Sequence, residues 1–369
     1  ILNLNELKKF NLNTNILKKK TKKYRKELSI ILNKIHNKNY DENYWGLIID
    51  RLLYLTINGI IFELHILKKI RKKDKKNIKI KKIIFDETFI DSNHFASSYE
   101  TNLVQPYTRY CIAKSLGFKE IKTKIKAKKI DDKIIGNFFL NVNESIDGVI
   151  RIFLKFYSKV FKPFLIVDGY IPRKNSIKLF FLSWGKILSI PSGLVFPKNY
   201  SSKKKNYRLR KLIKIKEKDL IDKIFNLLFR NFIPLSNLEN FEHFNNSIKT
   251  YKSLSSVGTA VSLIYNDYFK LLSAEILKKK GQVIAFQHGG LIGHVKYDHD
   301  ATINNRYASK VFSWHKGKNF SYYYFKKLNK ITPNEINNKK GILIFPTRIK
   351  IRYSYNQCVY KKNHPYLNC

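Results

Sequence analysis

The chain has 369 residues, and 72 Lys and Arg against 27 Asp and Glu give it a formal net charge of +45. At roughly 100–200 residues per domain, this length allows two or three domains, each with its own core. Hydrophobic residues make up 44% of the chain and aromatic residues 14%, which excludes a disordered basic tail. Glycine and proline are few and follow no period, which excludes collagen-like and low-complexity classes.

The positive charge has two explanations. Clustered Lys and Arg neutralise phosphates, which indicates a nucleic-acid-binding protein. The chain also favours Lys, Asn, Ile, Phe and Tyr, residues with AT-rich codons, so a biased genome would place lysine at many neutral surface positions. We favour the surface explanation, because the segment with the most suggestive chemistry, Gln287–Gly293, contains no lysine. No specific nucleic-acid partner is therefore expected.

The ends and the apolar segments of the chain were inspected for signals of export or membrane insertion. The sequence begins with Ile1 and contains no Met, which we interpret as a fragment or a processed chain. No signal peptide is visible, and Lys186 interrupts the most apolar stretch, 179–196, before it reaches spanning length. Three scattered cysteines indicate neither a disulfide framework nor a zinc site. We expect a cytoplasmic protein.

Residues 1–162 are predicted to be mainly helical. The first 40 residues are polar and basic, with too few apolar positions for a firm prediction. Beyond them, apolar residues at helical spacing and terminal Gly or Pro signals predict three helices, over residues 43–67, 103–116 and 145–161. The first of these helices is expected to break at Gly59, and the second to stop at Gly117.

After Pro163 the sequence changes to alternating strands and helices. Short apolar runs predict strands over 164–167, 187–190, 282–286, 310–314 and 341–346. Helices are predicted over 178–186, 219–232, 267–280 and 301–309. The Lys- and Arg-rich segment 198–218 is expected to be exposed, and the small residues of 253–260 to form a loop. This succession predicts a parallel, doubly wound sheet, and we assign residues 163–335 to a Rossmann-like α/β domain.

One loop stands out, because ligands bind outside the carboxyl ends of the strands in open parallel sheets. The segment Gln-His-Gly-Gly, 287–290, follows the strand 282–286 without a break. His288 has the chemistry to take a proton from a hydroxyl near neutral pH, and Gln287 is suited to orient it or to bind a hydroxyl. The two glycines let the backbone turn sharply and approach a ligand. A histidine that caps the strand end is the structural alternative, and we favour the functional interpretation.

Other polar residues are weaker candidates. Asp168 directly follows the strand 164–167, so it either faces the same cleft or forms a turn before Gly169. The two aspartates beside His299 lie in a predicted polar loop, where solvated side chains are expected. No HExxH pattern or cysteine pair accompanies the histidines, so no metal is predicted. The chain also lacks the GxGxxG, P-loop and GxSxG motifs.

The sequence around this loop resembles a known family. The runs GQVIAFQHGGLIG at 281–293 and RYASKVFSW at 306–314 resemble the QHGG-x-x-G motif, and the helix and Trp-ended strand that follow it, of bacterial transferases found in O-antigen and other surface-carbohydrate clusters. The helix that begins near Asn43 and the segment 233–244 are similar as well. The resemblance extends from about Asn43 to Phe345.

The resemblance implies an α/β fold in which a helical N-terminal region precedes a Rossmann-like parallel sheet, the first half of a B-type glycosyltransferase-like fold. Two such halves face each other across a cleft, and the C-terminal half holds a nucleotide-activated sugar donor. No further cofactor is implied, and the acceptor is a glycan or a lipid-linked molecule. His288 is implied as the base that deprotonates an acceptor hydroxyl. The loop around it is shaped by Gln287, Gly289, Gly290 and Gly293, and Asp168 is added as a substrate-binding candidate.

The chain departs from the family at two places. His315 follows Trp314 where the family usually has Gly, and few residues follow the predicted strand 341–346. We therefore assign residues 336–369 to the start of a truncated second Rossmann-like domain and expect the chain to be inactive alone. A lipid-linked acceptor and a basic surface predict peripheral contact with the inner face of the inner membrane. Two alternatives stay open, a nucleic-acid-binding protein and a non-catalytic glycan-binding or assembly protein.

Overall fold

The structure, a computed structural model, describes most of the chain. The described residues are 4–73, 79–100, 104–126, 144–197, 204–287, 295–313, 320–322 and 358–360. The predicted strand 341–346 and the loop that follows Gln287 lie outside these ranges. Most of the predicted third segment, 336–369, also lies outside them. The division into three domains stays a prediction.

Helices form most of the first half, and strands enter after residue 163. The helices are α1 (Leu4–His36), α2 (Glu42–Lys73), α3 (Ser92–Glu100), α4 (Val104–Ser115), α5 (Glu144–Phe161), α6 (Arg173–Leu182), α7 (Ser192–Val195), α8 (Tyr207–Lys211), α9 (Leu220–Phe232), α10 (Phe241–Ser247), α11 (Ser262–Tyr265), α12 (Asp267–Lys278) and α13 (His299–Tyr307). The strands are β1 (Lys79–Ile84), β2 (Lys119–Lys126), β3 (Phe164–Val167), β4 (Ile187–Ile190), β5 (Ser256–Thr259), β6 (Gln282–Phe286), β7 (Val295–Asp298), β8 (Lys310–Ser313), β9 (Phe320–Tyr322) and β10 (Cys358–Tyr360). Within the described ranges, no helix has the length and apolar character needed to cross a membrane.

Six of these strands form one parallel sheet in the order β4-β3-β5-β6-β8-β9. The chain passes from β3 outward to β4, and then returns to the other side of β3 with β5, from which the later strands continue outward. This arrangement confirms the predicted α/β class, a helical N-terminal region followed by a Rossmann-like sheet. Strands β1 and β2 form a separate parallel pair, and β10 pairs antiparallel with β7.

The predicted helix over 178–186 is displaced in the structure, where α6 begins five residues earlier. Two backbone N–H groups of its first turn donate to the carbonyl of Pro172, which directly precedes the helix. The helix ends at Leu182 because Trp184 and Gly185 adopt left-handed φ angles of 53° and 75° and reverse the chain into β4. Strands β3, β4 and β6 begin and end at the predicted residues.

The loop predicted over 253–260 is wrong, because this segment contains the central strand β5. Its small residues have a packing reason. A Cβ atom on Gly258 would lie 2.8 Å from the ring of Phe164 and 3.1 Å from the ring of Phe286, on the two neighbouring strands. The absence of a side chain therefore makes room for two aromatic rings, and it also removes the apolar pattern by which buried strands are predicted.

Helix α2 runs without the break that was predicted at Gly59. A Cβ atom at this position would lie 1.5 Å from Oη of Tyr99, a buried residue of α3. The close approach of helix α3 therefore explains why glycine occupies this position. The segment before α2, for which no prediction was made, forms α1.

Helix α2 packs against helices on both sides of the predicted boundary at residue 162, including α1, α4, α12 and α13. Polar contacts accompany this packing. Asp50 accepts hydrogen bonds from Nε of Arg25, at 2.7 Å, and from the hydroxyl of Tyr307 in α13. The hydroxyl of Tyr44 donates to Glu275 of α12 at 2.8 Å. One core therefore joins the N-terminal helices to the sheet region.

The basic segment 198–218 is only partly exposed, contrary to the prediction. Within its described part, 204–218, the side chain of Arg210 is buried and donates two hydrogen bonds to the carboxylate of Glu239, at 2.6 and 2.8 Å. Two apolar neighbours, Ile213 and Ile215, are buried as well. A forked guanidinium matches a carboxylate, which offsets the cost of burying this charge.

A buried carboxylate holds α1 against α9. Asp222 accepts hydrogen bonds from Lys20 at 2.6 Å, Lys23 at 2.7 Å and Tyr24 at 2.6 Å. Burial alone would raise the pKa of Asp222, but these hydrogen bonds outweigh it and leave the pKa well below its usual range. The carboxylate therefore stabilises the folded chain in its ionised form.

We expect Asp222→Asn to lower the free energy of unfolding by about 3 kcal/mol at pH 7, because the partly buried ammonium groups of Lys20 and Lys23 lose the buried carboxylate between them. The native pKa lies below the unfolded value, so this stabilisation is complete above about pH 5 and decreases as the pH falls further. The difference between the wild type and the variant should shrink below about pH 4. Urea denaturation at several pH values measures both effects.

Asp219→Asn is the matched control, since Asp219 begins the same helix, is half-exposed, and Asn caps helices equally well. A difference from the wild type that stays constant between pH 7 and pH 3 would contradict the role of the Asp222 carboxylate.

Substitution by alanine should have opposite effects at two of the helix glycines, Gly59 and Gly148. Gly59→Ala should destabilise the chain by about 1–3 kcal/mol, because the new methyl group meets Tyr99. Among the described residues, no atom lies within 4 Å of a Cβ at Gly148 in α5, so Gly148→Ala should stabilise the chain by up to about 1 kcal/mol through helix propensity. Adding Tyr99→Phe should restore part of the stability lost in Gly59→Ala. Thermal denaturation compares the variants, and equal effects at the two glycines would contradict the packing explanation.

Candidate functional site

Asp168 lies where the strand order reverses, at the carboxyl end of β3 and between β4 and β5. Its Oδ1 accepts the backbone N–H of Ser192, at 2.7 Å, and its Oδ2 accepts the hydroxyl of Ser262. Ser192 follows β4 and begins α7, and Ser262 follows β5 and begins α11. One carboxylate therefore joins the loops that leave three neighbouring strands. Ligands of doubly wound sheets bind at this kind of reversal.

The backbone of Asp168 extends the same connection. Its N–H donates to the carbonyl of Ile190 at 3.1 Å, and its carbonyl accepts the N–H of Ala260 at 3.3 Å. The φ angle of 50° is left-handed, a conformation that aspartate tolerates better than most residues. The backbone bends at Asp168. The substrate-binding role stays a prediction, and a ligand would meet a carboxylate whose two oxygens already accept hydrogen bonds.

The loop after β5 is ordered by a second side chain. Oγ1 of Thr259 accepts the backbone N–H groups of Val261, at 3.1 Å, and Ser262, at 2.8 Å. These bonds direct the chain from the strand into α11 and bring the Ser262 hydroxyl to Asp168. The geometry of the reversal therefore depends on a short series of side chains, Thr259, Ser262 and Asp168.

Gln287 fixes the point where the predicted catalytic loop begins. It directly follows β6, and its side chain is buried. Its backbone N–H donates to the carbonyl of Phe312 at 2.8 Å, and its Oε1 accepts the hydroxyl of Ser313 at 2.7 Å, both on the adjacent strand β8. The structure thus places Gln287 one strand away from β5, on the same edge of the sheet as Asp168.

The other predicted site residues cannot be placed. His288, Gly289, Gly290 and Gly293 lie outside the described residues, so the structure does not test their assignment. In sequence they directly follow the anchored Gln287.

A cationic cluster that the sequence did not reveal lies close to this edge. Lys270 of α12 is buried and donates to Oδ1 of Asp267 at 3.0 Å. Arg51 of α2 donates to the carbonyl of Ile264 at 3.2 Å and stacks on the ring of Tyr265, 3.9 Å from its centroid. Both acceptors belong to the segment that follows β5. In sequence, Arg51 directly precedes Leu52 and Leu53, and Lys270 lies between Phe269 and Leu271, so apolar neighbours are the signal that indicates burial of these cations.

His299 completes the cluster and was wrongly placed in a polar loop. It is buried at the start of α13, and its ring stacks on Tyr54 with 3.7 Å between the centroids. Burial, with Arg51 and Lys270 as positive neighbours, lowers its pKa well below the usual value, so the ring is neutral at pH 7. Among the described residues, neither ring nitrogen has a hydrogen-bond partner.

The described residues contain no group of three or more His, Cys, Asp or Glu side chains arranged to hold a metal ion.

In a comparison with protein families, the model of the LIC12162 family of transferases matches residues 2–368. No curated protein and no solved structure gives a significant match. The matched range includes Asp168, Gln287 and the loop that follows, so the whole edge lies within the family match.

A double-mutant cycle tests the Asp168 connection. Glycine is chosen at position 168 because it adopts a φ of 50° without strain. Between Asp168→Gly and Ser262→Ala we expect a coupling free energy of unfolding of about 1.5–3 kcal/mol, because each substitution removes the same hydrogen bond from the hydroxyl to the carboxylate. Ser192→Ala is the control. Ser192 contacts Asp168 through its backbone N–H, which alanine retains, so the coupling should stay below about 0.5 kcal/mol. Urea denaturation of the single and double variants gives both values, and equal coupling would contradict the connection.

Proposed function

The chain belongs to the LIC12162 family of transferases, and we propose that it is a glycosyltransferase-like enzyme of bacterial surface-polysaccharide or O-antigen biosynthesis. In this proposal, a sugar or a similar group passes from a nucleotide-activated donor to a hydroxyl of a glycan or a lipid-linked acceptor. The reaction takes place in the cytoplasm. A second Rossmann-like half of B-type architecture, which would hold the donor, is part of the same proposal.

The observation that carries the proposal is the organised carboxyl edge of the sheet. Asp168 holds the loops after β3, β4 and β5 together, and Gln287 is fixed to Ser313. In sequence, His288, Gly289 and Gly290 directly follow this anchored glutamine. Because Gln287 is held by hydrogen bonds, the residue after it, His288, has a limited range of positions. A general base needs such a defined position to take a proton from a bound hydroxyl.

The proposed chemistry assigns His288 as the general base. The acceptor hydroxyl gives its proton to the imidazole as its oxygen forms a bond to the anomeric carbon of the donor. The bond between that carbon and the phosphate oxygen breaks, and the nucleotide leaves with the electron pair. Gly289, Gly290 and Gly293 shape the loop, and Gln287 positions its first residue.

Charge at this edge supports an anionic substrate. The described cluster holds the guanidinium of Arg51 and the amine of Lys270, whose pKa burial lowers, against one carboxylate, Asp267. Because the cluster is buried, its positive field is screened less than that of a surface lysine. A phosphate-bearing substrate is attracted by such a field, and the departing nucleotide is stabilised by it.

We expect His288→Ala to lower the transfer rate by about 10²–10⁴-fold in the full-length gene product, because proton transfer from the acceptor is lost. Purified enzyme is incubated with nucleotide-activated sugars and with lipid extract from a strain that makes the polysaccharide, and nucleotide release is measured. His294→Ala, six residues further along the same loop, should change the rate less than about threefold.

Two results would contradict the proposal. An unchanged rate in His288→Ala would remove the base assignment. If no nucleotide-activated sugar releases its nucleotide with the wild-type enzyme, the assignment as a glycosyltransferase-like enzyme fails.

A further inference from the structure

Two neighbouring helices expose large apolar side chains to solvent. On α5 the exposed side chains, with 52–71% of their surface accessible, are Val149, Ile152, Phe153, Phe156, Val160 and Phe161. On α6 and the turn that follows it, with 51–90% accessible, they are Ile177, Phe181, Leu182 and Trp184. We call these residues the α5–α6 face. An exposed apolar surface of this kind marks an interaction site in a folded protein.

The α5–α6 face is one connected surface. The hydroxyl of Tyr157, on α5, donates to the carbonyl of Gly185 at 2.9 Å, and its ring lies 5.7 Å from that of Phe180 on α6. The left-handed turn at Trp184 and Gly185 holds the indole outward, with 90% of its surface exposed. No residue of α6 is buried, so the helix is not stabilised by a core of its own.

The charge around this face is mostly positive. Between residues 144 and 197 the acidic residues are Glu144 and Asp147, in the first turn of α5, and Asp168, whose carboxylate accepts hydrogen bonds at the strand reversal. The basic residues of the same range are Arg151, Lys155, Lys159, Lys162, Arg173, Lys174, Lys178 and Lys186. Lysines alternate with apolar residues along both helices, the pattern of a helix that lies on a bilayer surface.

We propose that the α5–α6 face docks on the surface of an anionic lipid bilayer. The aromatic and aliphatic side chains insert among the head groups, and the surrounding lysines contact lipid phosphates. A second copy of the chain is a poorer occupant, since it would bring a face of the same charge. This proposal assigns the predicted peripheral membrane contact to named residues.

The position of α5 connects this surface to the candidate site. Nη2 of Arg151 donates to the carbonyl of Gly193, at 2.9 Å, one residue after Ser192, whose N–H donates to Asp168. The first part of α5 therefore reaches the carboxyl edge of the sheet. A chain docked through α5 and α6 holds the carboxyl edge of the sheet beside the lipid surface. This is where the lipid-linked acceptor of the proposed function would lie.

Vesicle flotation tests the proposal with the purified chain. We expect binding to vesicles of phosphatidylcholine mixed with phosphatidylglycerol, at least tenfold weaker binding to pure phosphatidylcholine, and release at high salt. The combined substitutions Phe181→Ser, Leu182→Ser and Trp184→Ser should reduce binding to the anionic vesicles at least tenfold. Tyr207→Ser with Leu212→Ser is the control, since both side chains are 60% exposed outside the face, and it should bind as the wild type does.

Fluorescence separates docking from a change in folding. Of the two tryptophans among the described residues, Trp45 is buried and Trp184 is almost fully exposed. With Trp314→Phe as the background, vesicle binding should shift the emission to shorter wavelength, and Trp184→Phe should remove that shift without weakening folding. Absent binding to anionic vesicles, or equal binding by the triple-serine variant, would overturn the proposal. Concentration-dependent dimerisation that the triple-serine variant loses, without vesicle binding, would assign the face to a second copy. The assay contains no sugar donor, so docking and the proposed transfer reaction can fail separately.

Discussion

The reversal of strand order at β3 is the constraint on which this architecture depends. Three strand ends meet there, and the loops that leave them present polar groups that need partners in a poorly solvated place. Asp168 satisfies the N–H of Ser192 and the hydroxyl of Ser262 with one carboxylate. Helices α7 and α11 begin at those two serines, so the direction of both chain segments follows from this side chain.

The helical N-terminal region contributes to the same edge. Helix α2 carries Asp50 and Arg51 into the interface with α11, α12 and α13, and each meets a polar or aromatic partner there. Buried charges add little net stability, but a wrong docking would leave them without partners. The polar pairs therefore favour one orientation of α2 and fix the position of the cationic cluster beside the sheet.

The sequence predicted those elements whose signals are local. Apolar runs bounded by Gly or Pro identified β3, β4 and β6, and Gly117 marked the end of α4. Strand β5 was missed because Gly258 makes room for rings on its neighbours, which no local pattern shows. The buried cations were missed for a similar reason: Arg210 and Lys270 look like surface residues until Glu239 and Asp267 are placed beside them. Of the candidate site, Asp168 and Gln287 were found because each directly follows a strand, whereas their serine partners come from distant segments.

We propose that an acceptor hydroxyl is activated at the carboxyl edge of the sheet, with His288 as the base. A crystal structure of the full-length gene product with a nucleotide-activated donor and an acceptor measures the decisive distance. We expect the acceptor oxygen about 2.6–3.2 Å from an imidazole nitrogen of His288, beside Asp168. An acceptor bound away from this edge, with His288 turned from its hydroxyl, would show that His288 is not the base.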